Sequence, residues 1–105
     1  MLKSNLFEDE SSLLKVTEIF KILGDPTRIR ILTLLMDNRL YVQQISDQLQ
    51  MNHSAISHQL RILRQGRLVK SVRLGKTVHY SIIDNHIRKI LYICLQHIEK
   101  ERQSV

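Results

Sequence analysis

A basic stretch without acidic residues is the part of the sequence best suited to bind an anionic partner. Residues 48–83 contain no Asp or Glu. The formal net charge of the 105-residue chain is +6, and this stretch supplies six positive charges, so it accounts for the whole excess. Charge concentrated in this way predicts binding to nucleic acid rather than a generally basic surface. The six cations are Arg61, Arg64, Arg67, Lys70, Arg73 and Lys76.

The first part of this stretch has the spacing of a half-buried helix. Ile56, Leu60 and Leu63 recur at helical spacing, and Asn52 is a good N-cap. The opposite face carries small or flexible hydrogen-bonding side chains that suit base edges and phosphates. We predict that this helix contacts DNA through Ser54, Ala55, Ser57, His58, Gln59, Arg61 and Arg64.

A basic β-hairpin is predicted directly after this helix, which Gly66 would end. Val, Thr, Tyr and Ile alternate with other residues in segments 68–73 and 77–82, and Gly75 lies in the turn between them. Arg73 and Lys76 of this hairpin would then reach phosphates or a minor groove.

An amphipathic helix is predicted near the N-terminus. Ser11 or Ser12 would cap its start, and Gly24 would end it. Residues 1–10 precede it and are expected to form a flexible terminus. The helix is indicated by an apolar stripe that consists of Leu13, Val16, Phe20 and Leu23.

A second helix is predicted to start at Asp25-Pro26, because Asp is a favoured N-cap and Pro is tolerated at the first helical position. We expect it to end near Met36, with Arg28 and Arg30 directed into solvent. Its buried residues would be Ile29, Leu32, Leu35 and Met36.

A third helix over about residues 42–50 would bury Val42, Ile45 and Leu49. The basic helix capped by Asn52 follows after a very short turn. Two helices joined in this way form a helix-turn-helix whose second helix reads DNA, and a hairpin after it adds a wing.

The last segment predicts a long helix from Asp84 to about Glu101, with Asp84 as its N-cap. Its apolar face has more hydrophobic surface than the core of so small a domain needs, so we expect it to pack against a partner. The single cysteine lies on this face and is expected to be a buried, inert thiol. The apolar face consists of Ile87, Ile90, Leu91, Cys94 and Ile98.

Length and composition restrict the class of protein. The chain is short enough for one domain, expected over residues 11–103, and 43% apolar content is ordinary for a globular protein. It has no apolar run of membrane-spanning length, no signal-peptide core, and one cysteine, so we expect a cytoplasmic protein without membrane association. The expected fold is mostly α with a β-hairpin wing: a winged helix-turn-helix.

Several motifs together resemble the ArsR/SmtB family of winged-helix metal-responsive repressors over about residues 12–101. The resemblance implies a homodimer, formed through the N- and C-terminal helices. This dimer would bind an inverted-repeat operator in double-stranded DNA and leave it when a metal or another inducer binds. The motifs are Leu23-Gly24-Asp25-Pro26-Thr27-Arg28, residues 45–49, residues 54–60, Leu68-Val69 and residues 75–80.

Asp84, His86 and His97 are candidate metal ligands. On a regular helix the two histidines lie near one face, but their Cα atoms are about 16.5 Å apart. Two imidazole nitrogens on one zinc ion lie within about 4 Å of each other. One helix therefore cannot bring both histidines to one ion. Two antiparallel helices related by a two-fold axis can, with Asp84 and His86 from one subunit and His97 from the other, which gives two equivalent sites.

The resemblance implies the same arrangement, with a Glu or His as fourth ligand three residues after His97. Lys100 stands at that position and has no free lone pair at neutral pH. Glu101, one turn after His97, is the candidate replacement, and water is the alternative. Nitrogen and oxygen ligands favour Zn²⁺, and Co²⁺ or Ni²⁺ can bind similarly. The cysteine site of the family is missing, because residues 40–43 carry no thiol, which argues against a sensor of cadmium, lead or arsenite.

The same residues have simpler explanations. Asp84 alone would be a helix cap, and His86 and His97 would be surface residues. The protein would then be a winged-helix repressor of the same fold that responds to another inducer or to none. A protein that binds DNA without sequence preference is a further alternative. An enzyme has the least support, because Ser57 and His58 diverge by about 100° on a helix and cannot act as nucleophile and base.

Overall fold

Five helices and a three-stranded antiparallel sheet make up the computed structural model over residues 9–103, which are the residues that it describes. The predicted succession of helices followed by a hairpin and a last helix is confirmed, as is the winged helix-turn-helix fold. In chain order the elements are α1 (Glu10–Leu23), α2 (Pro26–Leu35), β1 (Leu40–Tyr41), α3 (Val42–Leu49), α4 (His53–Gln65), β2 (Val69–Leu74), β3 (Thr77–Ile82) and α5 (Asn85–Gln103).

Helix α1 begins earlier than the sequence suggested. Its N-cap is Asp9, whose carboxylate accepts hydrogen bonds from the Ser11 N–H (3.1 Å) and the Ser12 hydroxyl (2.9 Å). The prediction that Ser11 or Ser12 caps the helix was therefore wrong, because an ionised carboxylate two residues earlier already accepts from both. Most of the expected flexible terminus, residues 1–8 of 1–10, lies outside the described residues. Gly24 ends the helix as predicted.

The apolar stripe of α1 is partly exposed in the single chain. Leu13 is 45% exposed and Phe20 is 64% exposed, while Val16 and Leu23 are half-buried. The residue of α1 that enters the core is Ile22, which is outside the stripe. Of the stripe, Leu23 packs against the core, whereas Leu13 and Phe20 are left exposed.

Helix α2 starts as predicted, because the Asp25 carboxylate accepts a hydrogen bond from the Arg28 N–H at 3.0 Å and Pro26 follows the cap. Of its expected core residues, Leu32 and Leu35 are fully buried, whereas Ile29 and Met36 are half-buried. The core that α2 shares with the other elements consists of Ile22, Ile31, Leu32, Leu35, Leu40, Ile45, Ile56, Leu60, Leu63, Leu68, Val69, Ile82, Ile87 and Leu91.

The helix-turn-helix is closed by backbone hydrogen bonds in its turn. Gln50 ends α3 in the left-handed conformation, with φ of 55°, and the Met51 N–H donates to the Ser46 carbonyl at 3.1 Å. Asn52 then caps α4 as predicted, since its side chain accepts from the Ala55 N–H at 2.8 Å. The three expected core residues of α4 are fully buried, namely Ile56, Leu60 and Leu63.

The wing is the predicted hairpin. Strands β2 and β3 pair in register from Val69↔Ile82 to Leu74↔Thr77. Gly75 has a positive φ of 63° in the two-residue turn, where a side chain would be strained. The sheet has a third strand that the sequence did not predict: Leu40–Tyr41 pairs with β3 and gives the order β1-β3-β2.

Helix α5 buries only its first turns. Asp84 supports its start as predicted, since its Oδ1 accepts from the His86 N–H at 2.9 Å. Ile87 and Leu91 are buried, but Ile98 is 47% exposed and Cys94 is also exposed. The prediction of a buried thiol was therefore wrong for the single chain, because no other element within residues 9–103 covers Cys94.

Helix α4 ends in close contact with α1. A Cβ added at Gly66, the C-cap of α4, would lie 2.2 Å from Cδ1 of Ile22. Because Ile22 is 5% exposed and packed into the core, that methyl group has little room to move. The absence of a side chain at Gly66 therefore lets the end of α1 approach the end of α4.

We expect Gly66→Ala to destabilise the fold by about 1–3 kcal/mol through this overlap. Ile22→Val removes the overlapping methyl group and should itself cost about 0.5–1.5 kcal/mol. The double variant should then be more stable than the sum of the two losses predicts, as urea unfolding would show. Strictly additive losses would contradict the close approach.

Candidate DNA-binding surface and metal ligands

Helix α4 presents its polar face to solvent because its apolar face is fixed in the core. The exposed face is free of neighbouring elements along most of its length, and Ala55 at its edge is half-buried. Its position as the second helix of the helix-turn-helix is the one that enters a major groove in DNA-binding domains of this type. The predicted contact residues exposed on this face are Ser54, Ser57, His58, Arg61 and Arg64.

The wing adds cations beside this helix. Arg73 is paired with Val78, and Ser71 with Tyr80, so Arg73 and Tyr80 lie on the same face of the hairpin. Tyr80 lines a cavity of about 470 Å³ between the wing and α4. Arg73 therefore lies on the wing face that is directed towards α4, and Lys76 is exposed in the turn. The other residues lining this cavity are Ser57, Arg61, Arg64 and Gln65.

Gln59, also predicted to contact DNA, is instead engaged within the chain. It is half-buried, and its Oε1 accepts a hydrogen bond from Arg28 Nε at 2.9 Å. Arg28 in turn is not directed into solvent, as the sequence had suggested, so that prediction was wrong. The physical reason is that Gln59 and the Ile22 carbonyl both offer acceptors to its guanidinium.

A polar relay at the start of α4 was not anticipated from the sequence. Gln43 Nε2 donates to Asp47 Oδ1 at 2.6 Å, and Gln43 Oε1 bonds to Nε2 of His53. Because an ionised carboxylate only accepts, the amide nitrogen of Gln43 faces Asp47 and its oxygen faces His53. His53 must therefore donate through Nε2. The helical spacing of Gln43 and Asp47 is visible in the sequence, but the contact across the turn to His53 is not.

The predicted metal ligands form two pairs at the two ends of α5. At the start of the helix, His86 Nδ1 lies 3.4 Å from Asp84 Oδ1. Near its end, His97 Nε2 lies 2.7 Å from Glu101 Oε1. All four side chains are at least half exposed. Each pair thus offers an imidazole nitrogen and a carboxylate oxygen, which are donors that zinc accepts.

Neither pair is a complete metal site within one chain. Among residues 9–103, no three His, Cys, Asp or Glu side chains lie close enough together to hold an ion. Lys100 is exposed beside the second pair and adds a positive charge rather than a ligand. The donor set fits zinc only if the two ends of different α5 helices are brought together.

The local hydrogen bonds of Asp84 lower the pKa of its carboxyl group below the ordinary value of 3.8. Desolvation is the largest influence and acts to raise this pKa, but it is outweighed by the other contributions together. These are hydrogen bonds from the His86 N–H, the His86 ring and the Ile87 N–H, and the charge of His86. Asp84 is consequently ionised at neutral pH and has no proton to lose before it binds a cation.

Known proteins are similar to this chain in sequence and in fold. The profile of bacterial regulatory proteins of the arsR family matches residues 25–71. A transcriptional repressor SmtB homolog of Synechocystis sp. is 38% identical over 86 residues, which are 82% of this chain and 65% of that protein. The HTH-type transcriptional regulator NmtR of Mycobacterium tuberculosis is 35% identical over 91 residues, which are 87% of this chain and 76% of that protein.

A solved structure agrees with the architecture over nearly the whole chain. It is the solution structure of a homodimeric winged helix-turn-helix DNA-binding domain from Mycobacterium bovis, a possible ArsR-family regulator. It superimposes with a TM-score of 0.86 and 22% sequence identity, and the match covers 99% of this chain and 94% of that one. At 22% sequence identity, this similarity supports the shared fold alone.

The buried helix-turn-helix, the exposed polar face of α4 and the basic wing define a winged-helix DNA-binding protein. With the sequence matches, they show that the chain belongs to the ArsR/SmtB family of bacterial transcriptional regulators. The family resemblance predicted from the sequence is confirmed, and the relatives are regulators rather than enzymes. None of the helices in residues 9–103 combines the length and the hydrophobicity needed to cross a bilayer.

The lowered pKa of Asp84 leads to a pH-dependent stability. Asp84→Asn keeps a good N-cap but cannot ionise. Since the folded-state pKa is depressed, the carboxylate stabilises the fold above the unfolded-state pKa of about 3.9, and the effect is lost as pH falls through the folded-state value.

In urea unfolding between about pH 7 and pH 3, wild type should therefore have an advantage over Asp84→Asn that is constant near neutrality and shrinks below about pH 4. A difference between the two proteins that stays the same over this whole range would contradict the assignment.

Proposed function

We propose that this regulator is a homodimeric repressor that leaves its operator when a transition metal, first of all Zn²⁺, binds between the C-terminal helices. The observation that carries the proposal is the pair of incomplete donor sets on α5. Asp84 with His86 and His97 with Glu101 are each exposed, each correctly composed for zinc, and each too small to hold an ion alone.

Exposed apolar surface supports the homodimer. Helices α1 and α5 carry large side chains in solvent and enclose an apolar cavity of about 340 Å³ with α2. Apolar patches of this kind on a small protein mark an interaction surface. The Mycobacterium bovis domain of the same fold is homodimeric. The exposed side chains are Leu13, Leu14 and Phe20 on α1, and Tyr92, Ile93, Leu95 and Ile98 on α5.

A two-fold axis would complete the metal sites. Antiparallel packing of two α5 helices brings the Asp84–His86 end of one subunit to the His97–Glu101 end of the other. Each site would then have two imidazole and two carboxylate ligands, which is a tetrahedral set that zinc favours and that Co²⁺ or Ni²⁺ can also occupy. Bound zinc would supply a cross-link between the subunits.

Double-stranded DNA with an inverted repeat is the proposed partner. The two α4 helices would lie about one DNA turn apart and enter successive major grooves. Ser54, Ala55, Ser57 and His58 are proposed to face base edges. The flexible cations are proposed to contact phosphates, which makes affinity steeply dependent on salt. These cations are Arg61, Arg64, Arg73 and Lys76. Such a repressor acts where the DNA is, in the cytoplasm.

Metal and DNA would be linked through the dimer geometry. Zinc across the α5 helices fixes one arrangement of the two subunits, and we propose that this arrangement spaces the α4 helices wrongly for the operator. The coupling must be reciprocal, so operator DNA weakens zinc binding by the same factor.

One observation favours a second candidate function. Lys100 occupies the position where the family resemblance implies a fourth ligand, and it places a cation one residue away from Glu101. A repressor of the same fold that responds to a different inducer would need no ligand there.

The test is a titration of the dimer on a DNA fragment selected for tight binding, with and without zinc. We expect zinc to weaken binding about 5- to 150-fold. His97→Ala should bind this DNA as wild type does without zinc and should lose the zinc response.

A matched pair of variants tests the fourth ligand. Glu101→Gln should reduce zinc affinity, whereas Glu99→Gln, on a different face of the same helix, should not. Equal DNA affinity of wild type with and without zinc would rule out derepression by zinc and would favour the second candidate function.

A further inference from the structure

Arg28 occupies a position that local helix physics disfavours. It lies in the first turn of α2, where the partial positive charge of the helix N-terminus opposes a cation, and no acidic residue lies in that turn. Its side chain is only 20% exposed. A half-buried cation at this disfavoured end of a helix indicates a role that outweighs the local cost.

The contacts of Arg28 join three helices. Its Nε donates to Gln59 Oε1 in the middle of α4 at 2.9 Å, and its Nη1 donates to the carbonyl of Ile22 near the end of α1 at 3.1 Å. That carbonyl is among the last four of its helix, which have no partner within the helix itself. Asp25 Oδ2, at 4.0 Å from Nε, offsets part of the charge.

Ile22 also contacts α4 directly, through its side chain. Its Cδ1 lies where a side chain at Gly66, the C-cap of α4, would otherwise be. The end of α1 is therefore attached to α4 at two points, through Arg28 to Gln59 and directly at Gly66. Gln59 and Gly66 are separated along α4, whereas both contacts meet α1 at Ile22. The two points therefore fix the direction of α4 relative to the end of α1, whereas one point would leave α4 free to pivot.

We propose that Arg28 is a positioning residue that sets the direction of the DNA-reading helix α4 relative to α1. This inference rests on the proposed function, in which α1 carries part of the dimer surface and α4 enters the groove. A shift in dimer geometry then reaches α4 through the guanidinium, which donates to both helices at a fixed angle. Lysine keeps the charge but lacks this planar fork, so it cannot reproduce the link.

The first experiment compares Arg28→Lys with Arg30→Lys, a matched control at an exposed position of the same helix. Both variants keep the net charge, so binding to random-sequence DNA and its salt dependence should equal those of wild type. Arg28→Lys should lower affinity for the selected fragment about 3- to 30-fold and should reduce the zinc response. Arg30→Lys should change neither.

The second experiment removes the other end of the link. Gln59→Leu takes away the acceptor and should lower the affinity for the selected fragment as Arg28→Lys does. The double variant should lose little more than either single variant, in both DNA affinity and resistance to urea. Urea unfolding needs no DNA or metal, so it tests the Arg28–Gln59 link separately from the proposed function.

The outcomes distinguish the proposed function from the positioning role of Arg28. If wild type ignores zinc but the two substitutions are non-additive and selectively weaken binding to the selected fragment, zinc sensing fails and the role of Arg28 stands. If wild type and the variants all bind selected and random DNA equally well, sequence-specific repression and the positioning role both fail. Additive effects, or equal losses on selected and random DNA, overturn the positioning role alone.

Discussion

The distance between two histidines along one rigid helix restricts how the proposed metal site can be built. His86 and His97 are each bonded to a carboxylate, yet they belong to opposite ends of α5. Their backbones are separated by about 16.5 Å of helix, several times the span of ligands on one ion. A helix cannot shorten to close that gap. In the proposed function, the two pairs therefore complete a metal site only when a second copy runs in the opposite direction.

The rest of the fold connects α5 with the surface proposed to bind DNA. The exposed apolar faces of α1 and α5 lie on the side of the molecule suited to a second copy, and the exposed face of α4 and the wing present cations and small polar groups. Between them lies the hydrophobic core, in which Ile22 approaches α4 closely enough to require Gly66. Such tight packing transmits displacement rather than absorbing it.

Local signals were sufficient for most of the architecture. Asp25-Pro26, Asn52 and Gly75 each marked a boundary that the structure has, because caps and turns depend on neighbouring residues only. Strand β1 was missed, since two residues are too few to show alternation and its pairing partner is β3, far along the chain. Periodicity located the apolar stripe of α1, but it reports only that a face is apolar, not whether the chain's own core covers it.

In the candidate sites, too, contacts within one helix could be predicted from the sequence, and contacts between helices could not. The Asp84–His86 and His97–Glu101 pairs follow from spacing within one helix, so they could be predicted, and their proposed union across two subunits follows from helix geometry. The bond between Arg28 and Gln59 joins residues on different helices, and a solvent-exposed arginine was the ordinary expectation. The link from Gln43 to His53 likewise depends on how the turn between α3 and α4 is folded.

The sharing of each metal site between two subunits can be measured directly by complementation. One variant would carry Asp84→Asn and His86→Gln, and the other His97→Gln and Glu101→Gln, so that neither homodimer retains a complete site. After the two are unfolded together and refolded, each mixed dimer should contain one intact site. The account predicts that the absorption of bound Co²⁺ is lost in both homodimers and returns in the mixture at one ion per mixed dimer. A mixture that binds no more Co²⁺ than the separate variants would contradict it.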